Sequence, residues 1–233
     1  FNFSLEHINF SLKLFLISIA IRYNSNMTTH LFVRSCYTLL DSTIRIPELV
    51  STAKKYGYQS VALTDHHVMH GVARFLHECK KEGIHPIIGL EVDVFYHEQK
   101  VPFLLLAKNN KGYTNLIKLS SILCDGREYA TYEELLQYCE HNFLIVYGEG
   151  GYFDAELISE DRTGITQKLA QMKSELPSFD IAISYEETSL WRSKNALLKA
   201  LANAQGIQTV AVNKIYYLGQ KDYETLKVLS AIK

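Results

Sequence analysis

From Thr28 onward, short apolar runs alternate with longer stretches in which apolar residues recur at helical spacing. The runs with strand character are Leu31–Val33, Ser60–Thr64, Pro86–Phe95, Pro102–Ala107, Phe143–Tyr147, Asp180–Ser184 and Gln208–Val212. Between two of them, Val72–Cys79 has a helical apolar pattern that ends at Gly83. Alternation at about 25–35 residues per unit predicts parallel strands joined by crossover helices.

Helix-terminal residues support this alternation. Pro47 lies in the first turn of one predicted helix, and Gly57 ends that helix. Thr131 and Glu134 form a capping-box pattern, and residues 190–205 form a long apolar-faced helix. An open doubly wound sheet and a closed barrel both fit the alternation. No glycine-rich GxGxxG pattern follows any predicted strand, which weakens the open nucleotide-binding sheet, and seven predicted strands favour a barrel.

The two ends of the chain differ from its middle. The apolar run Leu12–Ile21 contains Lys13 and is well short of the ~20 residues that span a bilayer. Because the first methionine is Met27, we expect residues 1–26 to be an upstream or disordered segment and residues 27–233 to form one domain. The last predicted helix, Asp222–Lys233, has no cap, so we expect the chain to be a fragment of a longer protein.

Composition narrows the function classes. Hydrophobic residues make up 47% of 233 residues, and 24 basic residues nearly balance 25 acidic ones, giving a formal charge of −1. This composition predicts a soluble domain with a full core, without the basic surface of a dedicated nucleic-acid-binding protein. The four cysteines show no disulfide or metal spacing, which favours reduced thiols in a cytoplasmic protein.

Candidate chemistry lies where two predicted strands end. Asp65 and His66 follow the run Ser60–Thr64, and Glu91 follows an apolar stretch of the next run. Carboxylate and imidazole ligands of this kind suit Zn²⁺ or Mn²⁺. The alternative is that Asp65 caps the following helix while His66 packs beside it.

Other histidines are interpreted without a ligand role. We expect His70 to pack rather than to bind a metal, although it lies four residues after His66. The remaining scattered histidines are interpreted as surface residues: His67, His77, His85, His97 and His141.

Five segments, in one order and at one spacing, carry a resemblance to a known family. They are Leu31–Asp41, Ala62–Gly71, Gly83–Glu91, Leu104–Leu119 and Val210–Leu218. Together they resemble the PHP (polymerase and histidinol phosphatase) domain, and within it the N-terminal domain of the α subunits of bacterial DNA polymerase III, above all those of Gram-positive bacteria. The resemblance implies a distorted (β/α)7 TIM-like barrel, which agrees with the strand count.

In active members of the family, a cluster of His, Asp and Glu at the barrel mouth holds up to three metals that hydrolyse phosphoesters. Asp65, His66 and Glu91 match this cluster. Other ligand positions are filled by non-ligating residues, namely Phe32, Arg34, Pro102, Lys214 and Tyr216. We therefore expect no tightly bound metal, no catalytic residue and no phosphoesterase activity in this part of the protein.

Two of the substitutions introduce cations. Loss of the metals would leave Asp65 and Glu91 as unpaired carboxylates in a partly buried pocket, which is costly. We expect Arg34 and Lys214 to replace the metal charge and to pair with these carboxylates, with Arg34 making a bidentate contact. The alternative is that both cations point to solvent.

The resemblance implies that the whole protein is a cytoplasmic DNA-directed DNA polymerase that uses Mg²⁺, deoxynucleoside triphosphates and template-primer DNA. This part would then have a structural role, contacting the rest of the polymerase chain and other replisome proteins, with no membrane partner. The rival from another class is a free-standing PHP metal-dependent phosphoesterase of histidinol-phosphatase type. An unrelated open-sheet α/β domain fits the alternation but explains none of the ordered segments.

Overall fold

The computed structural model describes residues 29–148, 150–184 and 189–232, apart from the side chains of residues 189–191. The segment predicted to be upstream or disordered, residues 1–26, lies outside the described residues. The strands are β1 (Phe32–Val33), β2 (Ser60–Leu63), β3 (His85–Tyr96), β4 (Gln99–Ala107), β5 (Ala130–Thr131), β6 (Asn142–Tyr147), β7 (Phe179–Ile183), β8 (Gln208–Ala211) and β9 (Lys214–Ile215).

The helices follow the strands in the predicted alternation. They are α1 (Ile46–Lys55), α2 (Val72–Glu82), α3 (Asn110–Leu123), α4 (Tyr132–Tyr138), α5 (Asp154–Ser159), α6 (Arg162–Glu175), α7 (Ser189–Ala204) and α8 (Gln220–Ile232). The predicted capping box is present at the start of α4, where the Thr131 and Glu134 side chains each accept a hydrogen bond from the other residue's backbone N–H. Among the described residues, no helix is long and apolar enough to cross a membrane.

The sheet curls into a distorted barrel, which confirms the predicted fold class. The main sheet has the order β2-β3-β4-β6-β7-β8, with β5 beside β3, and β1 pairs with β9 in parallel. Near β1, the backbone N–H of Thr64 donates to the carbonyl of Val33 (2.9 Å), and that of Ala62 donates to His30 (3.2 Å). These bonds join β1 to β2, so the short strands β1 and β9 lie beside the first edge of the main sheet.

One part of the parallel prediction is wrong. β4 runs antiparallel to both of its neighbours, β3 and β6, while β2–β3, β6–β7 and β7–β8 are parallel as expected. β3 and β4 form a hairpin in which Tyr96 lies opposite Gln99. Its two turn residues, His97 and Glu98, both have positive φ, as tight hairpin turns require.

Side-chain alternation along β3 separates the core from the candidate site. Leu90, Val92 and Val94 pack with the helices in the larger apolar cluster. Residues on the opposite face of the strand therefore point into the barrel, where Ile87 packs in the smaller cluster. Because Glu91 and Asp93 share that inner face, the strand places two carboxylates inside the barrel near its mouth.

Candidate functional site

The backbone brings Asp65 and Glu91 together at the mouth of the barrel. Asp65 follows β2, Glu91 lies in β3, and the two strands are parallel neighbours. The backbone N–H of Glu91 donates to the carbonyl of Asp65 (3.2 Å), and that of His67 donates to the carbonyl of Glu91 (2.9 Å). Both carboxylate residues are only 2% exposed, so each needs partners.

Asp65 is held by the loop that follows β1. Its Oδ1 accepts from the backbone N–H of Ser35 (2.6 Å) and from the hydroxyl of Thr38 (2.8 Å), and its Oδ2 accepts from the hydroxyl of Ser35 (2.8 Å). Burial raises the pKa of Asp65 above its usual value, and these hydrogen bonds offset only part of that shift. Asp65 is thus an anchor for the loop, with both oxygens occupied by donors.

Glu91 is paired with Arg34. The Nε of Arg34 donates to Oε2 of Glu91 at 2.8 Å, and one terminal nitrogen donates to the same oxygen. The other terminal nitrogen donates to Asp41 at 3.0 Å. Burial lowers the pKa of Arg34, but Glu91 and Asp41 outweigh it, so the net shift is upward. The Arg34 side chain is only 14% exposed, and this is an ion pair largely removed from water.

Aromatic rings complete the surroundings of this ion pair. The guanidinium carbon of Arg34 lies 5.5 Å from the Phe32 ring centroid and 5.3 Å from that of Tyr216, both within cation–π range. The ammonium of Lys214 lies 4.4 Å from the centroid of Tyr147. Burial and nearby Glu91 raise the pKa of Tyr147 well above its usual value, although its hydroxyl makes no hydrogen bond of good geometry with that carboxylate.

His66 lies beside Asp93, a carboxylate that the sequence analysis did not single out. Its Nε2 lies 3.1 Å from Oδ2 of Asp93, and the Nε2 of His67 lies 3.8 Å from the same oxygen. The two imidazole rings stack with centroids 3.8 Å apart, and the Nε2 of His67 accepts a hydrogen bond from the backbone N–H of Asp93 (3.0 Å). Burial and His66 lower the pKa of His67 to about 4, so this imidazole is neutral at pH 7.

Several sequence interpretations differ from the structure. His67 is not a surface residue, since its side chain is only 15% exposed, while His70, expected to pack, is exposed. Arg34 directs two donors to one oxygen of Glu91 instead of contacting both oxygens, because its third nitrogen reaches Asp41. Asp65 was expected to pair with a cation, but the three hydrogen bonds to its carboxylate come from two hydroxyl groups and a backbone N–H.

Asp93 is the site residue that sequence reasoning missed. Its spacing from Glu91 is the available signal, because residues two apart on a strand share a face. Asp93 lies opposite Pro102 in the β3–β4 pairing, at a position where the resemblance implies a histidine ligand. The missed cluster therefore lies next to the implied metal centre.

The residues at Asp65 and Glu91 do not fit a divalent cation. A guanidinium already contacts the Glu91 oxygen that would bind a metal, and three donors occupy Asp65. Phe32 is fully buried beside them and offers no ligand atom. A metal ion entering this pocket would face the positive charge of Arg34, so these residues do not support a metal-assisted reaction.

Comparison with known proteins places the chain in a family. The model of the PHP domain matches residues 30–187. The α subunits of DNA polymerase III from Halalkalibacterium halodurans and Bacillus subtilis (strain 168) are each 36% identical to the chain, over 210 and 212 residues. Both alignments cover 88% of the chain and 19% of the relative, so the chain spans about a fifth of the length of these relatives.

Solved structures support the fold. An amidohydrolase from Chromobacterium violaceum superposes with a TM-score of 0.59 at 12% identity, over 86% of this chain and 96% of that one. A two-domain protein from Bacteroides vulgatus that contains a predicted PHP-like metal-dependent phosphoesterase gives a TM-score of 0.52 at 12% identity, over 87% and 55% of the two chains. At these identities the likeness concerns the fold alone.

Proposed function

The chain belongs to the PHP family, and we propose that it is the N-terminal, structural domain of a DNA polymerase of the polymerase III α-subunit type. The observation that carries the structural role is the ion pair between Arg34 and Glu91 at the barrel mouth. By the family resemblance, this guanidinium would take the place of a metal ion in a hydrolytic centre. The carboxylates therefore stabilise the barrel and do not activate water.

The commitments of the two buried carboxylates favour this role over phosphoester hydrolysis. A metal-activated hydroxide needs several fixed ligands and an open coordination position. Asp65 holds the loop after β1, and Glu91 holds Arg34, so neither carboxylate is available. The free-standing phosphoesterase of histidinol-phosphatase type is therefore the weaker proposal, although proteins of this fold include a predicted metal-dependent phosphoesterase.

The similarity to polymerase α subunits supports a proposal about the whole protein. It would be a cytoplasmic DNA-directed DNA polymerase acting on template-primer DNA with Mg²⁺ and deoxynucleoside triphosphates. The region matched here is about a fifth of such a subunit, so the polymerase chemistry would lie in the remaining part. The proposed domain itself uses no cofactor at Asp65 and Glu91.

The surface of α8 supports contact with the rest of that polymerase. None of the described residues of α8 is buried, and three large apolar ones are 43%, 61% and 66% exposed, namely Tyr223, Val228 and Ile232. Apolar side chains on an exposed helix are typical of a surface that another part of the protein covers. We propose that the following part of the polymerase chain covers α8, and that other replisome proteins bind elsewhere on the assembled enzyme.

Two measurements test the proposal. The purified chain, incubated with Mn²⁺ or Zn²⁺ and bis(p-nitrophenyl) phosphate, should release nitrophenolate no faster than buffer alone. Metal-dependent turnover that is lost in both Asp65→Asn and Glu91→Gln would contradict the structural role. Separately, the gene should continue in frame beyond the Lys233 codon into a polymerase region, and a stop codon directly after Lys233 would contradict membership in a polymerase chain.

A further inference from the structure

A second cluster of ligand-type side chains lies beside the Arg34–Glu91 ion pair. One nitrogen from each of His66 and His67 and one carboxylate oxygen of Asp93 all lie within 4.8 Å of one another. Tetrahedral zinc with metal–ligand bonds of about 2.0 Å holds its ligand atoms roughly 3.3 Å apart. The separations of 3.1 and 3.8 Å from the Asp93 oxygen to the two imidazoles bracket that value.

The backbone holds these three side chains in place. His67 adopts a left-handed conformation with φ of 63°, which is uncommon for a residue other than glycine. Its backbone N–H donates to Glu91 (2.9 Å), and its carbonyl accepts from the hydroxyl of Ser120 in α3 (2.8 Å). Asp93 is fixed by its place in β3. The loop that carries both histidines is thus attached to β3 and to α3 at the point where the ligands meet.

We propose that His66, His67 and Asp93 bind one transition-metal ion of the Zn²⁺ class, separate from the Asp65 and Glu91 pocket. Two imidazoles and one carboxylate form a donor set that suits this class of ion, and three protein ligands leave a coordination position for water. Metal binding at Nε2 of both imidazoles replaces the contact between His66 and Asp93 and the peptide N–H on Nε2 of His67. Each ring then binds as a neutral imidazole with its proton on Nδ1, and the ion gives up water ligands, with no redox step.

The cluster uses a different carboxylate from the ion pair. Glu91 is committed to Arg34, whereas the Asp93 oxygen faces the two imidazoles and the Lys100 ammonium, which lies 3.6 Å away. Lys100 is 53% exposed, so it can swing into solvent when a cation binds. The bound ion would link the loop after β2 to β3 and so stabilise the barrel mouth against opening.

Cobalt provides a spectroscopic test on the purified 233-residue chain. Titration with Co²⁺ should produce visible absorption bands that saturate at one ion per chain and that excess Zn²⁺ abolishes. Asp93→Asn and His67→Asn should each weaken Co²⁺ binding by at least roughly 10–100-fold. Loss of a residue that only orients a metal ligand already costs that much, and these two residues are ligands themselves. His70→Gln is the matched control, since His70 is an exposed histidine of the same loop, and it should leave the titration unchanged.

Two further measurements do not depend on the folding of the Asp93 and His67 variants. Lys100→Gln removes a competing cation from a solvent-exposed position, so Co²⁺ should bind a few-fold more tightly. In the unmutated chain, substoichiometric Co²⁺ should broaden or shift two histidine ring signals in the NMR spectrum before the other seven. Absence of saturable binding, binding that survives the Asp93 and His67 changes in folded protein, or ring signals of His66 and His67 that do not respond would each overturn the site.

Discussion

Replacing Arg34 by methionine tests the role of the guanidinium at the barrel mouth. Methionine keeps most of the apolar stem of arginine but removes the charge and the donors. In the unmutated chain Glu91 is only 2% exposed, and the substitution removes both the Nε contact at 2.8 Å and the positive charge beside it. The carboxylate must then either remain charged and unpaired or take up a proton.

The expected loss in the free energy of unfolding is set by whichever of these two outcomes costs less. Removing one partner of a buried ion pair typically costs about 3–5 kcal/mol. Protonating a carboxyl group of ordinary glutamate acidity costs about 3.7 kcal/mol at pH 7 and about 1 kcal/mol at pH 5. We therefore expect Arg34→Met to lower the free energy of unfolding by about 3–4 kcal/mol at pH 7. The loss should be about 2–3 kcal/mol smaller at pH 5, because the folded variant then binds a proton that the unfolded chain largely lacks.

Urea denaturation followed by circular dichroism measures this loss. Glu91→Gln in the Arg34→Met background should recover at least half of it at pH 7, since the unpaired charge is removed. Arg45→Met is the matched control, because Arg45 is 76% exposed and its nearest carboxylate oxygen is 4.0 Å away, so we expect a change below about 0.5 kcal/mol. A loss under 1 kcal/mol for Arg34→Met, or an equal loss with Glu91→Gln present, would show that Arg34 does not stabilise the fold by neutralising Glu91.

Three smaller perturbations test other parts of the site. Ser35→Ala removes one hydroxyl donor from buried Asp65 and should cost about 1–3 kcal/mol of unfolding free energy by urea denaturation; no loss would contradict the anchoring role. Because the pKa of His67 falls to about 4 in the folded protein, the unfolded chain binds more protons below pH 6.5, and stability in EDTA should decrease from pH 6.5 to 4. His67→Asn should flatten that decrease, and asparagine tolerates the positive φ at this position. An unchanged slope would show that His67 does not cause the decrease. Exposed Cys124 should react with Ellman's reagent, whereas Cys79, buried and with its pKa raised to about 12, should react only on unfolding.

Most of the barrel could be predicted from the sequence because buried strands have continuous apolar runs. The seven predicted runs correspond to β1, β2, β3, β4, β6, β7 and β8. β5 and β9 were missed because each has two residues and, unlike the equally short β1, neither consists of apolar residues alone. The antiparallel direction of β4 could have been predicted from the sequence. Only residues 96–101 separate the two predicted runs, whereas a crossover between parallel strands needs about a dozen residues or more.

The candidate site was less predictable, because it depends on loop conformation. The proximity of Asp65 and Glu91 follows from neighbouring strand ends, and Arg34 was expected near them. That Ser35 and Thr38 saturate Asp65 depends on how the loop after β1 folds back, which no periodicity encodes. The position of His67 depends on a left-handed backbone, and so its ring was assigned to the surface.

The most direct test of Arg34 as the replacement for a metal ion is an anomalous difference map from crystals of this chain soaked in zinc. We expect no peak within coordination distance of Asp65 or Glu91, with Arg34 still bonded to Glu91. Zinc at about 2.0–2.2 Å from an oxygen of Glu91, with the Arg34 guanidinium displaced, would contradict it.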